Sequence, residues 1–95
     1  MNIRFEWDPD KAHRNFVKHG VAFEEAQTIF NDESFVTVID DEHSDNEDRY
    51  ITIGVSGKGR LLVVAHTDRA HDLRIISARM ATRKEEIFYA ETTAY

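Results

Sequence analysis

The sequence predicts an α+β fold of the order β-α-α-β-β-β-β-α, with a mainly antiparallel sheet, two N-terminal helices and one C-terminal helix. Helical periodicity and capping residues come first along the chain, and alternating, β-branched segments follow them. Short connections among the last four predicted strands are typical of an antiparallel meander. Because the helices lie before and after the strands, the α+β class is favoured.

The N-terminal part of the chain is predicted to hold one short strand and two helices. The segment FEWD indicates the strand, and the first helix follows Asp8, which can cap it, with Pro9 at the favoured first position. That helix is predicted to end at Gly20, a residue that adopts the left-handed conformation easily. A second helix is predicted at Phe23–Phe30 from its apolar spacing, with a weak start because Ala22 cannot cap it.

The second part of the chain is predicted to form four strands and the last helix. The strand RLLVVAH is apolar on both faces and is therefore predicted to be central. Thr82 and Glu85 have the spacing of a capping box and predict the start of the last helix. The acidic segment Asp40–Asp48 is predicted to be a solvated loop. The four predicted strands are Phe35–Asp40, Arg49–Val55, Arg60–His66 and Leu73–Arg79.

Composition places the chain among single-domain globular proteins. Its 95 residues, 41% hydrophobic and 32% charged, allow one modest core, so one domain over residues 1–95 is predicted. The sequence has no cysteine, which excludes disulfides, thiolate metal sites and a cysteine nucleophile. The N-terminus lacks the apolar run of a signal peptide and no segment is long enough to span a bilayer, so a cytoplasmic protein is expected.

Charge is distributed unevenly along the chain. Residues 1–48 hold 4 Lys/Arg and 13 Asp/Glu, whereas residues 49–84 hold 8 Lys/Arg and 2 Asp/Glu, within a net charge of -6. Such asymmetry indicates one basic face on an acidic molecule. The alternative is that the two halves interleave in space and leave a mixed surface.

The histidines and glycines do not form a motif for a metal or a cofactor. His13 and His19 are six residues apart on a predicted helix and do not share a face. The glycines of GVSGKG join two strands and precede no helix, which excludes a phosphate-binding loop of the usual kind. We therefore expect no metal and no cofactor.

Arginines at strand termini offer the main chemistry. Arg49, Arg60 and Arg74 lie near strand starts, and His66 and Arg79 lie toward strand ends. Because alternate strands of a meander reverse direction, some of these groups should converge at one edge. Converging guanidinium groups bind phosphate well, since their planar fork matches two oxygens and stays charged. The alternative is that they are solvated and pair with the acidic loop.

Arg74 and Arg79 lie in one apolar strand segment. They are an odd number of residues apart, so they should face opposite sides of the sheet unless a bulge intervenes. Burying an unpaired guanidinium is costly, so each arginine needs solvent, a carboxylate or a ligand. Arg79 precedes the Thr82 cap by a few residues and is expected beside the N-terminus of the last helix.

Four blocks of sequence, in this order and spacing, resemble the BrnT family of ribonuclease toxins from type II toxin–antitoxin systems. The resemblance covers nearly the whole chain. It implies a RelE-like fold, an endoribonuclease activity and inhibition by a BrnA-like antitoxin that carries a ribbon-helix-helix DNA-binding region, in a toxin–antitoxin hetero-oligomer. The blocks are FEWDPDKAHRNFVKHGVAFEEA at 5–26, HSDNEDRYITIG at 43–54, GRLLVV at 59–64 and RIISARMATRKEE at 74–86.

The ribonuclease reaction that the resemblance implies would be metal-independent, with the RNA 2′-hydroxyl attacking the adjacent phosphate. Arg79, Arg74 and Arg49 suit stabilisation of the phosphorane charge, and His19 and Lys18 are the acid–base candidates. His66 and Glu47 are reserve candidates. The further basic residues expected to bind RNA are Arg60, Arg69, Arg83 and Lys84.

Two other interpretations remain open from the sequence. The chain could be a non-catalytic RNA- or protein-binding module of the same fold, or an orphan domain without an antitoxin. If it is a toxin, the basic face of the sheet rather than the first helix is expected to carry toxicity. Arg79 would then face RNA phosphate in the free protein, and antitoxin groups would cover it in the complex.

Overall fold

A computed structural model describes residues 3–44 and 47–94 of the chain. The elements follow one another in the predicted order, so the α+β class is confirmed. The strands are β1 (Arg4–Glu6), β2 (Val36–Ile39), β3 (Arg49–Val55), β4 (Leu61–Arg69) and β5 (Asp72–Met80), and the α-helices are α1 (Pro9–His19), α2 (Phe23–Ala26) and α3 (Arg83–Thr93).

The strands form one sheet in the order β1-β5-β4-β3-β2. Strands β2 to β5 are an antiparallel meander, as predicted, and β1 pairs in parallel with β5 at the other edge. Strand β4 lies at the centre of the sheet, as its two apolar faces predicted. It is longer than predicted, because Thr67, Asp68 and Arg69 continue the strand instead of starting a turn.

Helix α1 has the boundaries that its sequence predicts. The Asp8 side chain accepts a hydrogen bond from the Asp10 N–H at 2.8 Å, and Gly20 ends the helix at a φ of 70°. The Gly20 N–H donates to the Phe16 carbonyl at 2.8 Å. These caps satisfy backbone groups that a helix end otherwise leaves without partners.

The second helix is shorter than predicted. The α-helical part ends at Ala26 and continues as a 3-10 helix, Gln27–Asn31. Phe23, Ala26 and Ile29 are all fully buried, and residues three apart align on one side of a 3-10 helix. The tighter winding therefore keeps these three side chains in the core, where an ideal α-helix would rotate them progressively away.

The core lies between the second helical segment and one face of the sheet. On β4, Leu62, Val64 and His66 face this core, so Thr67 and Arg69 point to the opposite face. The buried cluster consists of Val21, Phe23, Ala26, Ile29, Leu62, Val64, Leu73, Ile75 and Ala78, with Phe5, Trp7, Ala12 and Phe30 packed against it.

A β-bulge in β5 determines where the arginines of that strand point. Ala65 lies opposite Ser77, but the next residue of β4 lies opposite Ile75, which leaves Ile76 as the extra residue. Arg74 therefore lies opposite Thr67, and Arg79 lies opposite Val63, on the same face of β4. The two arginines therefore share one face, which is the exception that the parity expectation allowed for a strand with a bulge.

Asn15 joins α1 to the part of β5 that β1 does not cover. Its amide group donates to the carbonyls of Val21 and Ala78 at 2.9 and 2.8 Å, and its oxygen accepts from the Ala78 N–H at 3.1 Å. This side chain thus satisfies edge groups of the strand that lack a neighbouring strand.

In the described chain, no helix is long and apolar enough to cross a membrane.

Candidate functional site

Three side chains form a row across the sheet on the face away from the core. Arg49 on β3 lies opposite Thr67 on β4, and Thr67 lies opposite Arg74 on β5. Directly opposed residues in antiparallel strands have Cβ atoms about 5 Å apart. The row therefore places one arginine on each side of the threonine.

The row forms the floor of an open groove with a volume of about 280 Å³. Half of the residues around it are basic, which suits an anionic ligand. Helix α1 contributes Lys11, and the loop before β3 contributes His43 and Glu47. The lining residues are Lys11, His43, Glu47, Arg49, Thr67, Arg69, Arg74 and Ile76.

Carboxylates offset part of the positive charge in the groove. Arg69 donates two hydrogen bonds to Glu47, at 2.7 and 3.0 Å, and this pairing holds the pKa of Glu47 below its ordinary value. Arg74 lies 3.5 Å from a carboxylate oxygen of Glu6. Arg49 and Lys11 have no carboxylate partner within residues 3–44 and 47–94, so the groove remains cationic.

Thr67 is the most deeply placed residue of the row. Only 6% of its surface is exposed. Its hydroxyl oxygen is buried and has no hydrogen-bond partner in the described part of the chain. The groove thus contains one polar atom whose bonding capacity the fold does not use.

His43 provides a proton-transfer group at the rim of the groove. Its Nδ1 atom lies 2.9 Å from a carboxylate oxygen of Asp40, which can hold the ring in one orientation. The Nε2 atom makes no hydrogen bond to any residue that the structure describes. A histidine oriented by a carboxylate with its second nitrogen open is an arrangement that enzymes use for proton transfer.

The predicted acid–base residues Lys18 and His19 lie in a second depression beside the groove. That depression has a volume of about 350 Å³ and shares Lys11 and Ile76 with the first. The two depressions therefore make one continuous surface along α1 and β5. The residues lining the second one are Lys11, Arg14, Asn15, Lys18, His19, Ile76 and Ser77.

Arg79 lies on the same face of the sheet but at the other end of β5. Its guanidinium donates to both carboxylate oxygens of Glu85, at 2.7 and 2.8 Å, beside the N-terminus of α3. The paired guanidinium is the main cause that lowers the pKa of Glu85 to about 2. The expected position beside the helix is confirmed, but the anion that Arg79 meets in this structure is a side chain of its own chain.

Of the four residues expected to bind RNA, only Arg69 lines the groove. Arg60 instead bonds to Glu25 and to the Gly20 carbonyl, and so ties β4 to the helices. Arg83 and Lys84 lie on α3 and are exposed. Successive strands run in opposite directions, so the start of β4 and the end of β5 lie at the far end of the sheet from the row. Arg60 and the arginines near α3 are therefore separated from the groove.

His66, a reserve candidate, is part of the core and does not line the groove. Only 1% of its surface is exposed, and burial lowers its pKa. A hydrogen-bonded chain runs from Thr37 to Thr52 to His66 to Asp68, with each link 2.7 Å long. His66 is therefore the buried link of a hydrogen-bond network whose ends, Thr37 and Asp68, are exposed.

Sequence reasoning missed three polar lining residues: Lys11, His43 and Thr67. The predicted strand Arg60–His66 ends before Thr67, although the alternation of Thr67 with Ala65 and Arg69 is the pattern of a strand. No local signal points to Lys11 or His43, because each reaches the groove only through tertiary packing. Within the described ranges, no three His, Cys, Asp or Glu side chains form a cluster that could hold a metal ion.

Comparison with known proteins adds a family and a structural relative. A family model described as "Ribonuclease toxin, BrnT, of type II toxin-antitoxin system" matches residues 7–85. The crystal structure of the Brucella abortus ribonuclease toxin BrnT is similar to this fold, with a TM-score of 0.66 and 21% sequence identity, over 86% of this chain and 100% of that chain. No curated protein sequence matches. The implied similarity to RelE stays a prediction.

Proposed function

Because the chain belongs to the BrnT family of ribonuclease toxins of type II toxin–antitoxin systems, we propose that it is a metal-independent endoribonuclease that a BrnA-like antitoxin neutralises. The observation that carries the proposal is the row of Arg49, Thr67 and Arg74 in a cationic groove. Cleavage of RNA in the cytoplasm is part of the same proposal.

The two arginines of the row suit the charge that develops during RNA cleavage. When the 2′-hydroxyl attacks the adjacent phosphorus, negative charge accumulates on the non-bridging oxygens of the phosphorane. Arg49 and Arg74 flank one position on the sheet and can donate to those oxygens from two sides. The P–O5′ bond then breaks, which leaves a 2′,3′-cyclic phosphate and a 5′-hydroxyl group.

Two protons must move in this reaction, and the groove holds groups for both transfers. A base takes the proton of the 2′-hydroxyl, and an acid gives a proton to the leaving 5′-oxygen. We assign these transfers to His43 and Glu47, because both line the groove that holds the arginine row. Glu47 is the carboxylate of the two and suits the role of base, and His43, whose ring Asp40 can orient, suits that of acid.

The other predicted catalytic residues take secondary roles in this proposal. Lys18 and His19 line the adjoining depression, where they would bind RNA on one side of the cleaved bond. Arg79 contributes only if its bond to Glu85 opens, since that carboxylate now occupies its guanidinium. The order of importance is therefore Arg49 and Arg74 before Lys18, His19 and Arg79.

Cleavage of RNA by the purified protein tests the proposed activity. Single-stranded RNA incubated with the protein and excess chelator should yield fragments with cyclic-phosphate ends. Arg49→Ala should reduce the cleavage rate by about 100-fold, the size of effect seen when one charge-stabilising donor is removed. Lys58→Ala removes an exposed cation of the turn between β3 and β4, outside the groove, and should keep the rate near that of the unmodified protein. Intact RNA at high protein concentration would contradict the proposal.

A simpler activity is distinguished by the same experiment. If the protein binds RNA but never cleaves it, the groove belongs to a non-catalytic binding module. The partial neutralisation of Arg69 and Arg74 by Glu47 and Glu6 is the observation that favours this second function, because it weakens the charge available to a transition state.

The antitoxin is the second component of the proposal. A surface that binds RNA phosphate also attracts acidic side chains, so we propose that the antitoxin covers the groove. A small ribbon-helix-helix protein should be encoded beside this chain, and its product should copurify with it. In a competition titration, the antitoxin should displace RNA. Equal RNA affinity of the free protein and of the complex would show that the antitoxin binds elsewhere.

A further inference from the structure

The Thr67 hydroxyl differs from the other buried polar side chains of the molecule. Asn15, Glu25, Thr52 and Ser56 all make side-chain hydrogen bonds, and so does His66. The Thr67 oxygen is the one buried side-chain atom without a partner in the part of the chain that the structure describes. This unpartnered hydroxyl belongs to a residue that lines the candidate functional groove.

An unpaired buried hydroxyl has a cost that a valine would avoid. Burying a donor without a partner costs about 1–3 kcal/mol, and valine has nearly the same shape as threonine without the hydroxyl. Strand β4 already carries Val63 and Val64, so an apolar β-branched side chain is tolerated along it. No residue within 3–44 and 47–94 bonds to the hydroxyl, so among these residues it adds nothing to the stability of the free protein, and a bound ligand can supply its partner.

The neighbours of Thr67 indicate the chemistry of that partner. Arg49 and Arg74 lie directly opposite it on the two adjacent strands, and Arg69 lies two residues further along its own strand. Glu47, which lines the groove, pairs with Arg69, and Glu6 pairs with Arg74; neither carboxylate reaches the hydroxyl. Three donors around one position suit a tetrahedral anion with several acceptor oxygens.

We propose that the Thr67 hydroxyl donates a hydrogen bond to a non-bridging oxygen of an RNA phosphodiester, which Arg49 and Arg74 hold from either side. The inference rests on the proposed function in its choice of RNA as the ligand. The hydroxyl oxygen is closed to solvent in the free protein. Binding therefore requires the neighbouring side chains to move aside, which the long arginine side chains can do without any change in the strand.

Thr67→Val tests the assignment through two measurements that should move in opposite directions. RNA binding is measured by fluorescence anisotropy with a labelled 2′-O-methyl RNA oligonucleotide, which lacks the attacking hydroxyl and cannot be cleaved. We expect Thr67→Val to bind this RNA about 10-fold more weakly, as for the loss of one hydrogen bond to a charged group. Its midpoint of urea unfolding should equal or exceed that of the unmodified protein. Thr67→Ser keeps the hydroxyl and should retain RNA binding.

Thr37→Val is the matched control. The Thr37 hydroxyl lies 2.7 Å from that of Thr52 on the core side of the sheet, so its loss should lower the unfolding midpoint and leave RNA binding unchanged. Equal RNA affinity of Thr67→Val and the unmodified protein would overturn the assignment. A clear loss of stability in Thr67→Val would also overturn it, because the hydroxyl would then have an internal partner.

Cleavage is measured separately with unmodified RNA, so the two proposals can fail independently. A protein that binds the 2′-O-methyl RNA but never cleaves unmodified RNA contradicts the ribonuclease proposal. The effect of Thr67→Val on binding then still decides whether the hydroxyl contacts RNA. A protein that binds neither RNA contradicts both proposals.

Discussion

At the scale of single residues, the pair of Arg79 and Glu85 shows how an arginine is tolerated on an apolar strand. The guanidinium fork meets both oxygens of one carboxylate, which is the geometry it would also use for a phosphate. Glu85 also accepts from the Thr82 N–H at 2.8 Å and completes the predicted capping box. One carboxylate therefore stabilises the start of α3 and neutralises a strand arginine.

The lowered pKa of Glu85 predicts a specific dependence of stability on pH. Its pKa in the folded protein is about 2, against an ordinary value of 4.5, so its stabilisation is fully present above pH 4.5 and is lost as the pH falls toward 2. Glu85→Gln should lower the free energy of unfolding by about 1–2 kcal/mol at pH 7, after allowance for solvent screening. Urea unfolding at pH 7 and pH 3 measures both effects.

The neighbouring residue offers a control for this prediction. Glu86→Gln removes a carboxylate whose closest basic partner, Arg83, lies 3.7 Å away at an exposed position. It should change stability by no more than about 0.5 kcal/mol. If Glu85→Gln and Glu86→Gln behave alike at both pH values, the bidentate pair does not stabilise the fold in solution.

At the scale of elements, α3 packs loosely against the rest of the described chain. No residue of this helix is buried, and Ile87 and Phe88 remain 45% and 42% exposed. In the described chain, its polar links to the rest of the molecule are the hydrogen bonds that Arg79 donates to Glu85 and the one that the Tyr89 hydroxyl donates to Asp32, 2.6 Å long. Elements with little buried apolar surface open at lower free energy than core strands.

Loosening of α3 can be measured by amide hydrogen exchange. Tyr89→Phe removes the hydroxyl that donates to Asp32 and should increase the exchange rates of α3 amides several-fold while those of β3 and β4 stay unchanged. Glu91→Gln changes an exposed residue of the same helix and should leave the rates as they are. Equal rates in all three proteins would mean that the Tyr89 bond does not hold the helix.

At the scale of the whole molecule, charge is separated in space as well as in sequence. The chain has a net charge of -6, yet four basic side chains line one groove. The carboxylates Glu6 and Glu47 from the acidic first half reach this groove, so the interleaved surface that sequence counting allowed is present in part. The cationic groove should attract RNA, whereas the net negative charge of the whole protein should weaken its binding to other acidic surfaces.

This separation predicts how salt affects RNA binding. Each phosphate contact to single-stranded RNA contributes about -0.7 to the slope of log K against log salt, so a groove with three or four contacts should give a slope of about -2 to -3. Arg49→Ala should make the slope less negative by about 0.7. Anisotropy titrations at about 50, 100 and 200 mM salt measure this slope, because the Debye length falls about two-fold over that range. Lys58→Ala should keep the original slope, because Lys58 lies outside the groove, and a slope near zero would exclude phosphate contacts.

The sequence by itself determined the features that depend on neighbours within a few residues. The caps of α1 at Asp8 and Gly20 and the capping box of α3 were predicted correctly because each uses contacts across one helical turn. The order of the elements and the central position of β4 followed from periodicity. The concentration of basic residues after position 48 was also visible, and with it the expectation of an arginine-rich face.

Only the tertiary structure decided which of these arginines act together. The bulge at Ile76 places Arg79 on the same face as Arg74, and no residue type in the segment LRIISAR predicts this bulge. In the folded chain, Arg60 pairs with Glu25 and Arg79 pairs with Glu85. Arg49 and Arg74 instead lie beside Thr67. The physical reason is that strand register and side-chain pairing are set by packing across the whole sheet, whereas caps and periodicity are set by the local chain.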